Sequence, residues 1–275
     1  MNFCTCKSRR GVLSGLGMVL GGLGGCANST GGGAIGIDRP QFLGMVSAEK
    51  MIQMGESNYR ATIESARRAG KLNSDQPATE RVKKIAAHLI PHVAVFRPDA
   101  VGWRWEANVI SEPTINAWCM PGGKIAFYTG IIRAMNMNDD EIAAVMGHEI
   151  AHALREHGRE RLSQSLLAQS GTAILGTLLK GKVDNAEARM QAAYSAGLGL
   201  PFSRAHETEA DRIGIELSAR AGYHPRGGPS IWEKMGRLSS GGKEWASTHP
   251  SPARRMRDLE EYGAKVLPLY EAAKR

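Results

Sequence analysis

Two histidines and a glutamate near the middle of the chain form the pattern H-E-x-x-H: His148, Glu149 and His152. Residues four apart on an α-helix lie on one face, one turn above the other, so both imidazoles can point at one spot. A single Zn²⁺ needs that arrangement, at roughly 2.0–2.1 Å from each imidazole nitrogen. Glu149 is placed to take a proton from a water molecule at the metal. The pattern therefore predicts a hydrolytic zinc site with one Zn²⁺ per chain.

The flanking residues predict that this stretch is a helix. Asn138 can cap its N-terminus, and acidic residues follow in the first turn, where the helix dipole favours them. Gly158 is a plausible end, although residues 159–167 could continue the helix. The alternative is a chance H-E-x-x-H on a surface helix. An apolar stripe argues against it, because burying the stripe puts the histidines beside the core: Ile142, Val145, Met146, Ile150 and Leu154.

A catalytic zinc needs a third protein ligand and an open position for water. Residues 203–211 open a second helical pattern in which Glu207 and Asp211, four apart, share a face, while His206 and Glu209 point elsewhere. A carboxylate on this face could complete a His-His-Glu site. Asp211 could hold a ligand imidazole through its other N–H. Spacing alone leaves an ordinary solvated acidic face as an open alternative.

H-E-x-x-H followed by S-R-x-x-E-x-E-A-D resembles the gluzincin metallopeptidases of the HtpX and CAAX prenyl protease family. Residues 116–123 resemble that family's N-A-x-x-x-P-G-G segment, and residues 248–254 resemble its H-P-x-x-x-x-R segment. The likeness extends over about residues 80 to 262 and is closest to the soluble lipoprotein type exemplified by BepA and LoiP. It implies that Glu207 is the third zinc ligand.

The same resemblance implies that one strand binds an extended peptide by main-chain pairing. That strand consists of Asn116, Ala117, Trp118, Cys119 and Met120. Asn116, His249 and Arg254 are the candidates for stabilising the oxyanion. A neutral His249 could instead occupy the open zinc position and keep the site latent, with the glycine-rich residues 239–242 letting its loop move. A third possibility is that His249 merely caps the last helix.

The first 25 residues have the features of a bacterial export signal, with a basic start and a short, glycine-rich apolar region. Residues 23–26 fit a lipobox that ends at Cys26, which would carry lipid, and residues 8–13 also resemble a twin-arginine signal. Ala27, rather than Asp, follows that cysteine. By resemblance to Gram-negative lipoproteins, this favours the outer membrane facing the periplasm. An accidental glycine-rich tail is the alternative.

The 275 residues allow one large domain or two small ones, and 42% hydrophobic content is ample for a core. We expect a signal peptide over 1–25, a flexible tether over 26–45 and a metallopeptidase domain over 46–275. The formal charge is +8, but no basic patch interleaved with aromatics is visible, which argues against nucleic-acid binding. Cys119 remains as an isolated thiol, so no internal disulfide is expected in the domain.

The periodicity predicts an α+β, mainly helical zincin-like fold with a small antiparallel sheet before the H-E-x-x-H helix. Helices are expected at 47–70, 77–90 and 251–273, and strands at 101–110, 113–119 and 124–128. Residues 163–200 are interpreted as a helical hairpin packed over the site, as a lid or membrane-facing flap, or else as plain core helices. Nothing in this region is apolar enough for a confident membrane span.

Together these features predict a zinc endopeptidase of the cell envelope that acts on polypeptides. The resemblance implies unfolded or misassembled envelope proteins as substrates and envelope assembly machinery as a possible partner. The competing hypothesis is an assembly factor or chaperone whose protease site is gated or rarely used. An exopeptidase would need a charge that captures a peptide terminus near the strand, and we find none in the sequence.

Overall fold

The computed structural model describes residues 26–177, 186–237, 247–249 and 253–274. Two short 3₁₀ helices, Ile90–Val95 and Pro98–Gly102, lie between the second helix and the third strand. The main elements, in chain order, are β1 (Cys26–Ala27), β2 (Gln41–Phe42), α1 (Ala48–Arg68), α2 (Gln76–Leu89), β3 (Glu106–Ile110), β4 (Ala117–Met120), β5 (Lys124–Tyr128), α3 (Thr129–Ala134), α4 (Asp139–Leu154), α5 (His157–Thr177), α6 (Ala186–Leu198), α7 (Arg204–Arg220), α8 (Gly227–Arg237) and α9 (Ala253–Ala273).

The expected fold class, a mainly helical α+β domain with a small sheet, is confirmed. The sheet is mixed rather than wholly antiparallel: its order is β3-β5-β4, with β3 parallel and β4 antiparallel to β5. The tight turn at residues 121–123 makes β4 and β5 a hairpin, and Gly122 and Gly123 adopt the positive φ that this turn requires. Because β5 also pairs with β3 on its other side, β4 lies at one edge of this sheet.

The two helices that carry the predicted site residues, α4 and α7, cross in direct backbone contact. A Cβ built on Gly147 would lie 2.6 Å from the carbonyl oxygen of Gly214, and one on Gly214 would lie 2.6 Å from the amide nitrogen of His148. Ser218 Oγ donates to the carbonyl of Ala143 at 3.0 Å one turn further along. The absence of side chains at the crossing therefore sets how closely the two helices approach.

The core is a cluster of apolar side chains on both sides of α4. Ile142, Met146, Ile150 and Leu154 are completely buried, as expected from the stripe. Helix α4 begins with a full capping box, in which Asn138 and Glu141 each accept the other's backbone N–H at 2.9 Å. Burying the apolar face of a capped helix holds the adjacent face, with its histidines, against α7.

Helix α4 ends earlier than Gly158, the end that we considered from the sequence. Its last residue is Leu154, and Glu156 adopts a left-handed φ of +51° before α5 begins at His157. Residues 159–167 are helical, but as part of α5 rather than as an extension of α4. The break turns the chain so that His157 faces back toward the end of α4.

The N-terminal segment packs on the domain instead of forming the flexible tether expected over residues 26–45. Ile35, Ile37 and Leu43 are buried, and Ile35 and Ile37 belong to the main apolar core. The amides of Ala34 and Ile35 donate to the completely buried carboxylate of Glu216. Glycine and serine content suggested flexibility, but partners more than a hundred residues away supply the contacts that order this segment.

Helices α5 and α6 form the two arms expected over residues 163–200, and residues 178–185 lie outside the described part. Tyr194 of α6 is buried, and its hydroxyl lies 3.6 Å from the sulfur of Met120 in β4. A second apolar cluster joins these arms to α1 through Met51, Met54 and Leu162. Across the described residues, no helix combines the length and hydropathy that crossing a membrane requires.

Candidate metal centre

Four buried side chains from three separate parts of the chain converge on one point. His148, His152, Glu207 and His249 each offer a ligand atom, and these atoms all lie within 4.8 Å of one another. The Nε2 atoms of His148 and His152 are 3.0 Å apart, as expected for i, i+4 residues on one helix face. Ser203 caps α7 by accepting the N–H of His206, which fixes the turn that presents Glu207. Each of these side chains is at most 5% exposed.

Asp211 forms a hydrogen bond with His148 that fixes the orientation of its ring. The Nδ1–H of His148 donates to Asp211 Oδ1 at 2.9 Å, which leaves the Nε2 lone pair of a neutral ring facing the cluster. Arg255 holds the same carboxylate through its Nε and Nη2 atoms, at 2.6 and 2.7 Å. Its Nη1 lies 2.6 Å from Glu207 Oε2. One buried guanidinium therefore orients two carboxylates at once.

On the other side of the cluster, His157 orients His152. His157 Nε2 donates to Glu209 Oε2 at 3.0 Å, so in a neutral ring its Nδ1 is an acceptor. His152 Nδ1 lies 2.9 Å from that acceptor and must carry the proton between them. In a neutral His152 ring the Nε2 atom therefore carries a lone pair, which also faces the cluster.

This proton arrangement provides the test of whether a metal fits. Two lone pairs, on His148 Nε2 and His152 Nε2, face each other in a buried space beside the carboxylate of Glu207. Two acceptors that face each other at this distance repel, and a cation between them removes the conflict. Two imidazoles and a carboxylate are a known donor set of catalytic Zn²⁺. The residues present therefore fit a zinc ion.

The pKa shifts of His152 and Glu207 agree with this arrangement, whereas the raised pKa of His148 favours a proton that a bound metal ion would displace. Burial lowers the pKa of His152 well below its usual value, and the charge of His148 acts in the same direction, so the His152 ring is neutral. Burial also opposes the charged form of His148, but the hydrogen bond and charge of Asp211 outweigh it and raise the pKa of that ring. Burial would raise the pKa of Glu207, yet its histidine contacts lower it overall, so this carboxylate is ionised.

The structure brings His249 into the cluster from a distant part of the chain. Its Nδ1 atom lies 3.1 Å from Glu207 Oε1 and 3.2 Å from His148 Nε2. Its Nε2 atom lies 3.4 Å from Oε1 of Glu149. His249 thus stands between the proposed base and the proposed ligands. The glycine-rich residues 239–242, expected to let its loop move, lie outside the described residues.

Arg254, which the sequence suggested for the site, has a side chain outside the described part. Its neighbour Arg255 contacts Glu207 and Asp211 and stacks over Trp232 at 4.1 Å. The spacing H-P-x-x-x-x-R, counted from His249, reaches Arg255, so a stricter count would have found it. His157 and Phe202 were also missed. Phe202 stacks on His152 with ring centroids 4.0 Å apart.

An apolar cleft lies beside the cluster, between β4 and the α5–α6 arms. His152 and Phe202 line it on the side of the cluster, and Cys119 and Met120 of β4 also line it. Leu162 and Tyr194 of the α5–α6 arms line it as well. Arg161 also borders the cleft; burial lowers its pKa to about 10, and its Nη1 donates to the carbonyl of Leu200 at 2.6 Å. Burial raises the pKa of the Cys119 thiol, so it stays protonated, as expected for an inert cysteine.

The expected substrate strand forms one edge of the sheet. Asn116 immediately precedes β4, and its carbonyl accepts the N–H of Tyr128 at 3.1 Å. Because hydrogen-bonded positions alternate along an antiparallel pair, Ala117 and Cys119 turn their backbone groups away from β5. The Ala117 amide donates to Asn116 Oδ1 at 2.9 Å. Trp118 and Met120 are the β4 residues whose backbone faces β5.

Comparison with known proteins agrees with this geometry. A family model described as peptidase family M48 matches residues 76–263. The mitochondrial metalloendopeptidase OMA1 of Arabidopsis thaliana is 38% identical over 161 residues, which are 58% of this chain and 32% of that protein. OMA1 of Saccharomyces cerevisiae is 30% identical over 249 residues, 85% of this chain and 69% of that protein.

A bacterial relative is the beta-barrel assembly-enhancing protease of Escherichia coli K12, 28% identical over 239 residues. That alignment covers 82% of this chain and 46% of the relative. The chain therefore spans less than half the length of the Arabidopsis and E. coli proteins and 69% of the length of the yeast protein. The family match includes α4, α7 and Arg255, so the converging residues lie within it. The chain belongs to peptidase family M48, the zinc metallopeptidases.

Proposed function

We propose that this chain is a zinc-dependent endopeptidase of the bacterial cell envelope that cleaves unfolded or misassembled proteins. The carrying observation is the buried convergence of His148, His152 and Glu207, with Glu149 on the same helix. In this proposal those three residues hold one Zn²⁺. When bound, zinc polarises the scissile carbonyl and makes a water molecule more acidic.

The remaining chemistry belongs to side chains of this protein. The Glu149 carboxylate accepts a proton from the attacking water and delivers it to the leaving amine nitrogen as the C–N bond breaks. Asp211 and Arg255 keep His148 and Glu207 in position, so neither has to reorganise during the reaction. Asn116 and His249 remain candidates for stabilising the oxyanion, whereas Arg255 is engaged by two carboxylates.

The edge of β4 supports an extended polypeptide substrate. Ala117 and Cys119 direct backbone groups outward, where a peptide can pair as an added strand. The apolar cleft beside His152 then receives a substrate side chain. An apolar cleft favours an apolar substrate side chain. Such side chains are mostly buried in folded proteins and exposed in unfolded ones, which supports unfolded chains as substrates.

An assay of casein cleavage by the purified chain tests this function. The purified chain should cleave casein, stop when a chelator removes zinc, and recover when zinc is restored at one ion per chain. Cleavage that survives complete zinc removal would overturn the proposal. A fluorescently labelled unfolded protein, added in parallel, reports binding without cleavage.

A second candidate function is an envelope assembly factor whose protease site is gated. His249 contacts both Glu207 and His148, and this position favours the gated function. A fourth buried ligand atom there would compete with water for the open metal position. The name of the E. coli relative, a beta-barrel assembly-enhancing protease, adds support. Client binding with no cleavage in the presence of zinc is the outcome that would favour this function.

The proposed location is the outer membrane, through lipid on Cys26. The lipobox at residues 23–26 and the bacterial relative support it, although the OMA1 relatives are mitochondrial by name. Thr30 is already buried against the domain, so the domain would be held close to the membrane surface. Cys26→Ser should move the protein out of the membrane fraction. Retention of the serine variant would contradict this anchor.

A further inference from the structure

The N-terminal segment reaches the metal centre through a chain of buried polar contacts. His157, which contacts the proposed ligand His152, is completely buried and donates to Glu209. Glu209 in turn accepts hydrogen bonds from Arg155 Nε at 2.9 Å and from Arg39 Nη2 at 3.2 Å, all at its Oε2 atom. Arg39 Nε donates to the other oxygen, Oε1, at 2.5 Å. Arg39 lies in the segment before α1, far from both ligand helices in sequence.

Arg39 is itself held in place. Its Nη1 and Nη2 atoms donate to the two carboxylate oxygens of Glu160, both at 2.8 Å. The same carboxylate lies 3.0 Å from His206 Nε2 and 3.1 Å from Gln41 Nε2. A guanidinium fork fixed against two carboxylates is rigid, so Glu209 has little freedom to rotate away from His157.

We propose that His157 and Arg39 are positioning residues for the metal centre. His157 holds the His152 ring in the orientation and tautomer that direct Nε2 at the metal, and Arg39 holds Glu209 against His157. This proposal rests on His152 being a zinc ligand, as proposed above. It makes the N-terminal segment part of the site, although that segment precedes the region matched by the family model.

The purely structural explanation is that these groups satisfy one another in the core. Under that explanation, substitutions lower the melting temperature but leave the zinc affinity of the folded protein unchanged. Under the proposal, zinc affinity falls while the protein is still folded. Partners that orient metal-bound histidines typically contribute about 10- to 100-fold in metal affinity.

The experiment measures zinc dissociation constants by competition with a chelator, well below the melting temperature of each variant. The full chain is compared with His157→Leu, His157→Asn and Arg39→Met. Arg220→Met is the matched control, because Arg220 pairs with the buried Glu216, which also holds the N-terminal segment. Arg220 and Arg39 have similar side-chain exposure, 25% and 32%.

We expect His157→Leu to weaken zinc binding about 10- to 100-fold. His157→Asn should recover part of the loss, since its side-chain oxygen can accept from His152 Nδ1. Arg39→Met should weaken binding, and Arg220→Met should not. In cobalt-substituted protein, the visible absorption bands should shift in His157→Leu, because they report the ligand geometry.

Wild-type affinity and an unshifted cobalt spectrum in His157→Leu would overturn the proposal. Equal losses in Arg39→Met and Arg220→Met would overturn the role of Arg39, because attachment of the segment would then explain both. If His157→Leu does not fold, the zinc dissociation constants of His157→Asn and Arg39→Met test the proposal in its place. A wild-type chain that binds no zinc would instead refute the proposed function.

Discussion

Gly147 and Gly214 meet where the two ligand-bearing helices cross, so closely that neither position has room for a Cβ atom. His148 follows Gly147 directly in α4, and Glu207 and Asp211 precede Gly214 on α7 by two turns and one turn. The close approach lets a glutamate reach two histidines on another helix. A wider separation would leave the same residues too far apart to share one ion.

The first prediction concerns this crossing. Gly214→Ala places a Cβ about 2.6 Å from the His148 amide nitrogen, so the helices must separate. Overpacking of this kind costs about 1–3 kcal/mol. We expect a lower melting temperature and less than one zinc per chain by metal analysis. Gly236→Ala is the control, because a Cβ there meets nothing within 4 Å. Full zinc content in Gly214→Ala would show that the crossing tolerates a side chain.

The second prediction separates the base from the ligands. Glu149→Gln should keep one zinc per chain and the wild-type melting temperature, while casein turnover falls by about 10²–10⁴-fold, because general-base catalysis is lost. Glu207→Ala should instead lose zinc, since it removes a proposed ligand. Both zinc content and turnover are measured on each variant. Normal hydrolysis by Glu149→Gln would remove that residue from the mechanism.

The third prediction tests whether His249 gates the site. If its imidazole blocks the open metal position, His249→Ala should raise basal casein cleavage, tenfold for each 1.4 kcal/mol of blocking interaction lost. If His249 stabilises the transition state, the same change should lower kcat by about 10²–10³-fold with zinc still bound. His88→Ala on α2, where the ring contacts Tyr223, controls for loss of an imidazole. An unchanged rate would leave His249 with a structural role only.

The fourth prediction concerns pH and the N-cap of α2. The Asp75 carboxylate accepts the Ala78 N–H at 3.1 Å and lies 2.7 Å from Arg133 Nη2. The backbone hydrogen bond, followed by the Arg133 contact, lowers the pKa of Asp75 below its ordinary value of 3.8. Because the pKa of Asp75 is lower in the folded state, its charge contributes its full stabilisation at pH values above the pKa that Asp75 has in the unfolded chain. The stabilisation is lost as the pH falls through the folded pKa.

Asp75→Asn isolates that charge, since asparagine is a comparably good N-cap. Urea unfolding of both proteins, with a chelator present so that zinc does not contribute, should show wild type more stable at pH 7 by about 0.3–1 kcal/mol. The difference should shrink toward zero as the pH approaches and passes below the folded pKa. An equal difference at pH 7 and at pH 2 would mean that the charge of Asp75 does not contribute.

The sequence by itself determined the parts of the site that depend on local geometry. His148 and His152 share a face because a helix has 3.6 residues per turn, and Asp211 follows Glu207 on its helix for the same reason. The helices of residues 48–68 and 76–89 matched their predicted spans within two residues, because periodicity and capping are local signals. The resemblance to the family motifs added Glu207 as the proposed third ligand.

Only the tertiary structure decided what depends on contacts distant in the chain. The parallel pairing of β3 with β5 and the approach of Arg39 to Glu209 join segments that no sequence period relates. The N-terminal residues have a flexible composition, yet buried carboxylates elsewhere in the chain order them. Such partners cannot be identified from composition, because a hydrogen bond across the fold depends on the packing that brings its two ends together.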